Sequence, residues 1–184
     1  MSKKNSDLQT FKLVSASDLL RNEYIKKFAQ ESNEIEGIHS DVADKVHEEA
    51  LFNFLNRKLS VSSITKFVSK IQQNAILREL DSCVVYIGGH QAPPSKKSLS
   101  TLKEIIRELN RLDSCAALTQ ENSFLTHNTF EMIHPFTDGN GRAGRALWLW
   151  CMVKARWEFG LSFKHKYYYQ TLSYWWDSVY RENK

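Results

Sequence analysis

The sequence predicts an all-α fold carrying one small β-hairpin, and three observations carry that expectation. Apolar residues recur at helical spacing through much of the chain, as in Leu20, Tyr24 and Phe28, or Val42, Val46, Ala50, Leu51, Phe54 and Leu55. One clear strand-like run stands against them, Ser82 to Ile87, closed by the turn signal Gly88-Gly89. Three of the seven glycines crowd into Ile133 to Trp148, between two more helical patterns.

The elements follow in order. Met1 to Ala16 is polar and reads as a mobile start. Ser17-Asp18 can cap a first helix running to about Ile35, ended by Gly37. Asp41 to Leu59 reads as the second helix, and Ser62-Ser63 as the cap of a third carrying Ile64, Phe67, Val68 and Ile71. After the strand-like run, Pro93-Pro94 forbids helix until about Ser98, and Leu99 to Leu112 is amphipathic again. Ser114 to Thr126 should turn and lead into the helix that delivers His134, where Pro135 enforces a stop. The pattern resumes through Ala143, Ala146, Leu147, Trp150, Cys151 and Lys154.

A chain of 184 residues suits one domain, or one domain with a small appendage, and is long enough for a sizeable core. No apolar run approaches the roughly 20 residues of a membrane span, and the start lacks the apolar stretch and cleavage site of a signal peptide, so a cytoplasmic protein without membrane contact is expected. The net charge of +4 is mild and its basic residues are dispersed, which argues against nucleic acid as a partner. Cys83, Cys115 and Cys151 are odd in number and far apart, so they suggest core thiols instead of disulfides or a metal site. His39 and His47 have no acidic or Cys partners at ligand spacing and read as structural or surface residues.

The chemistry concentrates in IHPFTDGNGRAGRALW, Ile133 to Trp148. Asp138-Gly139-Asn140-Gly141 is a tight turn whose N–H groups can curl around an anion where a new helix begins, with its unpaired donors and positive dipole end. Arg142 and Arg145 are expected in the first turn of that helix, where cations oppose the dipole; such a broken rule marks function and suits a polyphosphate. Asp138 offers a hard oxygen ligand for Mg²⁺ and His134 a base near neutral pH. A plain hairpin turn is the rival reading, but both flanks carry helical periodicity. A His127, His134, Asp138 metal triad is disfavoured because Pro135 breaks the helix between its members.

His134-Pro135-Phe136-Thr137-Asp138-Gly139-Asn140-Gly141-Arg142-Ala143-Gly144-Arg145 resembles a complete Fic-family motif, HPFx(D/E)GNGRxxR. The resemblance implies a Fic-type helical domain that moves AMP from ATP onto a Ser, Thr or Tyr hydroxyl of a target protein, another protein or itself. It implies His134 as the base, Phe136 as an anchor in the core, Asp138 as the Mg²⁺ ligand, Gly139, Asn140 and Gly141 as the phosphate cradle, and Arg142 and Arg145 as holders of the outer phosphates. Ser32-Asn33-Glu34-Ile35-Glu36-Gly37 is similar to the family's (S/T)xxxE(G/N) inhibitory motif, which implies that Glu36 pairs with Arg145 and blocks productive ATP binding. The strand-like run is similar to the family's flap, so Val85, Tyr86, Ile87 and Gly88 would dock the target by strand pairing. Tyr167-Tyr168-Tyr169 resembles a segment that walls the nucleotide pocket.

The implied organisation is a flexible start over 1–16, an inhibitory helix over 17–37, a Fic domain over 38–172 and a tail over 173–184. Donor choice stays open to relatives that transfer UMP, phosphocholine or a phosphoryl group, although Gly141 departs from the Lys typical of the kinase-like branch. An inactive nucleotide-binding regulator is the other alternative, and self-association is left open.

Overall fold

The computed structural model describes residues 23–79, 83–87 and 89–155. Six helices lie among them: α1 (Glu23–Ile35), α2 (Asp41–Leu55), α3 (Val61–Ile71), α4 (Ser95–Ser114), α5 (Gln120–Ile133) and α6 (Asn140–Lys154). An antiparallel hairpin, β1 (Tyr86–Ile87) and β2 (His90–Gln91), pairs Tyr86 with Gln91 and Ile87 with His90. The fold is therefore all-α with one small hairpin, as the periodicity predicts. None of the described helices is long and apolar enough to cross a membrane.

The pivot of the fold is α6, whose buried residues number twelve of fifteen and lie all round its axis. A helix buried on every side must sit inside others. It packs most extensively on α5 and also meets α1, α2 and α3. Trp150, Leu147 and Ala146 reach the centre of the core, together with Leu51, Leu55, Leu102, Leu109 and Phe130. The helix that opens at the glycine-rich loop is thus also the one most firmly held.

Several boundaries differ from the expected ones, each for a local reason. Helix α2 stops at Leu55, because Asn56 turns its N–H back to Phe54 O and leaves the helical path; Leu59, outside the helix, is buried all the same. The cap of α3 is Ser60, whose hydroxyl accepts from Ser63 N–H while Ser63 reaches back to Ser60 N–H, so Ser63 is the third helical residue and not the cap. Helix α4 starts at Ser95, directly after Pro94. Proline restricts the residue before it, and at the cap position its missing N–H removes nothing the helix needs. Within the expected strand only Tyr86 and Ile87 pair, helped by Ala92 N–H donating to Val85 O at 2.9 Å.

Cys151 is the one core thiol of the three, with Cys83 half-buried and Cys115 exposed. Their wide spacing carried no information about burial. His39 is exposed and His47 fully buried, in keeping with surface and structural roles. The expected mobile start, the Ser17-Asp18 cap, Ser82, Gly88 and the tyrosine-rich segment lie outside the described residues.

Candidate active site

The site is a loop between two packed helices. Helix α5 ends at Ile133, and His134 follows in the left-handed region with φ 45° and ψ 64°, its N–H donating to Phe130 O at 3.1 Å. Pro135 accounts for the stop, but a left-handed non-glycine residue is strained by about 1–3 kcal/mol and persists only where its surroundings hold it. The hold is visible. Leu77 and Phe136 form an isolated bridge, Arg78 N–H donates to Pro135 O at 2.8 Å and Thr137 N–H to Ile76 O at 3.0 Å. Phe136 is fully buried, as its expected anchor role requires.

Asn140 closes the loop from within. Its Oδ1 accepts from Phe136 N–H at 2.9 Å and its Nδ2 donates to Phe136 O at 2.8 Å, so the side chain is a latch and only its backbone N–H faces a ligand role. Gly139 caps α6 with φ 74°, a conformation that suits glycine, and no side chain caps the helix. The N–H groups of the first turn therefore remain available to an anion.

The two arginines leave α6 in different directions, and Arg145 stands in its second turn, not its first. The helix begins at Asn140, so the dipole argument holds for Arg142 alone. Arg142 donates to Ile71 O at 3.1 Å and to Gln72 Oε1 at 2.7 Å, capping α3, while its buried Nε has no acceptor among the described residues. Gln72 in turn donates to Asp138 Oδ2, and Gly139 N–H to Asp138 Oδ1 at 2.6 Å. Arg145 turns to α1, giving Nε–H to Ser32 Oγ at 2.8 Å and Nη2–H to both Ser32 O at 2.8 Å and Glu36 Oε1 at 2.7 Å.

Glu36 is placed by the end of α1. Its own N–H and that of Ile38 both donate to Asn33 O, and Gly37 takes φ 72° to let the chain leave. The carboxylate comes to rest over the first turn of α6, close enough to Gly141 that a Cβ there would collide with Oε1. An anion thus already stands at the N-terminus of α6. Arg145 is 1% exposed and Glu36 35%, so the pair is dry on one side and open on the other.

His134 Nδ1–H donates to Glu131 O at 3.0 Å, which leaves the lone pair on Nε2. Burial holds its pKa below the ordinary value; the bond to Glu131 and the charges of Asp138 and Glu36 oppose that, and Arg78 adds to it. The imidazole is neutral and basic near pH 7. Behind Arg145, burial pushes the Glu131 carboxyl up to about 7 against the pull of Arg145, and burial draws His127 down to about 4. Both pack where α6 shows Gly144, where a Cβ would strike Glu131 Oε1 and meet His127 Nδ1 at 3.0 Å. His127 therefore faces this crossing and does not join His134 and Asp138.

Of the expected flap residues, Val85, Tyr86 and Ile87 are described, with Tyr86 67% exposed at the hairpin surface. Sequence reasoning missed Gln72, Arg78, Asn33 and Glu131. Gln72 and Arg78 follow the end of α3 with nothing but an unpatterned turn to mark them, and Asn33 and Glu131 look like solvated polar residues on helices until burial is known.

Three comparisons bear on identity. A model of the Fic/DOC family matches residues 19–152. Protein adenylyltransferase fic-1 of Caenorhabditis elegans is 27% identical over 124 residues, covering 66% of this chain and 24% of the relative, and the protein of that name in Caenorhabditis briggsae gives the same figures. The chain thus spans about a quarter of the length of these curated relatives. A Fic domain containing signaling protein from Bacteroides thetaiotaomicron superposes with a TM-score of 0.63 at 18% identity, over 86% of this chain and 74% of that one, which is a likeness of fold. With the loop, its two flanking helices and the family match over most of the chain in agreement, this protein belongs to the Fic/DOC family.

Proposed function

We propose that the protein transfers AMP from ATP to a hydroxyl side chain of a target protein, and that Glu36 restrains the reaction. One observation carries the reading: a carboxylate from α1 stands over the uncapped N-terminus of α6 and is bound by Arg145. A seat that binds one anion in this way suits the phosphates of a nucleotide. The 27% identical adenylyltransferases of the two nematodes point to AMP as the transferred group.

In this reading His134 Nε2 takes the proton of the attacking hydroxyl. Its oxygen forms the new bond to the α-phosphorus as the bond to the bridging oxygen breaks and pyrophosphate leaves. Asn140 and Gly141 offer backbone N–H groups, Gly139, whose own N–H is held by Asp138, gives the turn that aims them, and the orphaned Nε–H of Arg142 finds its acceptor in a phosphate oxygen. Asp138 would hold Mg²⁺. The exposed carboxylate fits that ion, which is commonly held by one or two carboxylates plus substrate phosphates and water, and whose charge would offset that of the departing phosphates. Tyr86 and its hairpin neighbours would receive an extended segment of the target.

Glu36 holds the reaction back by occupying Arg145, the guanidinium that would meet the γ-phosphate. The test compares wild type, Glu36→Gly, Arg145→Ala and the double variant, each with Mg-ATP labelled on the α- or the γ-phosphate. Glu36→Gly is expected to raise α-label transfer at least about tenfold, a change of about 1.4 kcal/mol in barrier. Both proteins lacking Arg145 should stay inactive. Equal transfer by Glu36→Gly and wild type would remove the restraint, and transfer of the γ-label would replace AMP transfer with phosphoryl transfer.

A further inference from the structure

Arg78 lies outside the glycine-rich loop, yet it is 2% exposed and ranks with Arg145 and Trp150 among the largest fully buried side chains. Its bonds reach three separate stretches of chain. Nε–H donates to Cys83 O at 3.1 Å, Nη2–H to Pro93 O at 2.7 Å, and Nη1–H to His134 O at 2.7 Å and Ile133 O at 3.3 Å. Cys83 precedes β1 and Pro93 follows β2, so the guanidinium grips the hairpin at both ends. Ile133 and His134 are where α5 stops. Ser98, on the first turn of α4, completes the cluster by donating to Ile133 O at 2.6 Å and Pro93 O at 3.3 Å.

These acceptors are all neutral oxygens. Among the described residues no carboxylate pairs with Arg78; a buried cation of that kind is costly, and the compensation comes from carbonyls at the negative end of the α5 dipole and from charge-assisted bonds. Lysine has three donors on a single nitrogen and no planar fork with which to reach carbonyls on several sides. The grip also explains how His134 stays left-handed: its carbonyl is held by Arg78 Nη1, its N–H by Phe130 O and its ring by Glu131 O.

We infer that Arg78 is a positioning residue, whose guanidinium fixes the β1–β2 hairpin and His134 in one relation, so that a target segment seated on the hairpin meets the imidazole in register. The inference rests on the proposed AMP transfer. Its structural half does not, because the coupling of hairpin to loop can be read without any reaction. Misplacement of reacting groups by about 1 Å can cost on the order of 100-fold in rate, so loss of the grip should appear in kcat and not in the KM for ATP.

The test uses Arg78→Met and Arg78→Lys in the full chain, each alone and with Glu36→Gly. Amide hydrogen exchange reads the hairpin at Ala92, which donates to Val85 O, and the loop at Thr137 and His134, which donate to Ile76 O and Phe130 O. Ile64 N–H, bonded to Ser60 O in α3, reports global folding. In Arg78→Met the hairpin and loop amides are expected to exchange faster together while Ile64 stays protected. In the Glu36→Gly background, α-label transfer should fall on the order of 10- to 100-fold at unchanged KM for ATP. If Arg78→Met loses Ile64 protection as well, the same amides are compared in Arg78→Lys, which keeps the charge and loses the fork. Loosening of the hairpin without the loop, or faster exchange with undiminished kcat, would overturn the inference. If the Glu36→Gly parent transfers no label to itself or to a cell extract, AMP transfer fails as a reading, and the exchange data still decide whether Arg78 couples the two segments.

Discussion

Replacing Glu131 by Gln should make the protein more stable above neutral pH and leave it little changed in acid. The carboxyl is 8% exposed at the α5–α6 crossing, and its Oε1 has no hydrogen-bond partner among the described residues. Burial raises its pKa from 4.5 to about 7 despite the attraction of Arg145. The sign follows from which state binds the proton more tightly. Between 4.5 and about 7 the folded form keeps a proton that the unfolded chain has lost, so stability falls as pH rises through that window and the loss is complete above it. At about 1.4 kcal/mol per pH unit the penalty comes to roughly 3 kcal/mol. Glutamine has the same shape and never ionises. Urea unfolding of both proteins at pH 5, 6, 7 and 8, followed by tryptophan fluorescence, gives the difference directly. His127 Nδ1 stands 3.9 Å from Glu131 Oε1, but burial draws its pKa down to about 4, so the ring stays neutral across pH 5 to 8 and does not enter the comparison. A gap between variant and wild type that stays constant within about 0.5 kcal/mol across the series would refute the argument, because a surface or paired carboxylate behaves that way.

His134→Ala should lower AMP transfer on the order of 10²- to 10⁴-fold while nucleotide titrations stay close to wild type; retained turnover would reduce His134 to a helix terminus. In the active protein the acid limb of kcat/KM should fall below the ordinary histidine pKa of 6.5, since burial favours the neutral ring in the free protein, and a limb above that value would contradict this. Asn140→Ala removes two bonds to Phe136 from a residue 2% exposed and should cost about 2–4 kcal/mol in thermal or urea unfolding. Gly141→Ala should lower the melting point, because the added Cβ strikes Glu36 Oε1 and comes 3.2 Å from Arg145 Nη1, and loosening that pair outweighs the gain of up to about 1 kcal/mol from alanine in a helix. Its methyl group would also fill the anion seat, so ATP binding should weaken; unaltered affinity would move the seat elsewhere.

The loop is legible in the sequence because its constraints are local. Pro135 dictates the stop of α5, glycine at 139 permits the positive φ of the α6 cap, and the pairing of Glu36 with Arg145 follows from two motifs taken together. What escapes are contacts closed only by the tertiary fold. Gln72 links Asp138 to Arg142 across 66 and 70 residues of chain, and Arg78 reaches the end of α5 across 56. Arg145 stands one turn later in α6 than its sequence suggests, because periodicity places the start of that helix no more finely than a turn. Register within a helix is fixed by its cap, and a glycine cap leaves little trace in composition.

Asn33 sets a clock on the Glu36–Arg145 pair. It is wholly buried, donates to Asp44 Oδ1 at 2.8 Å and accepts from His47 Nδ1–H at 3.0 Å, while its carbonyl takes the N–H groups of Glu36 and Ile38. Burial keeps His47 neutral by lowering its pKa to about 3, so this anchor does not titrate in the physiological range. The backbone beneath Glu36 is therefore riveted to α2, whereas its carboxylate, on a side chain 35% exposed, can turn about its own bonds. Such side-chain rotations take picoseconds to nanoseconds, against microseconds or longer for displacing a packed helix. In the proposed reaction an incoming phosphate would meet a carboxylate that swings on a fixed post, and its competition with Glu36 for Arg145 would be set by side-chain rotation and not by displacement of α1.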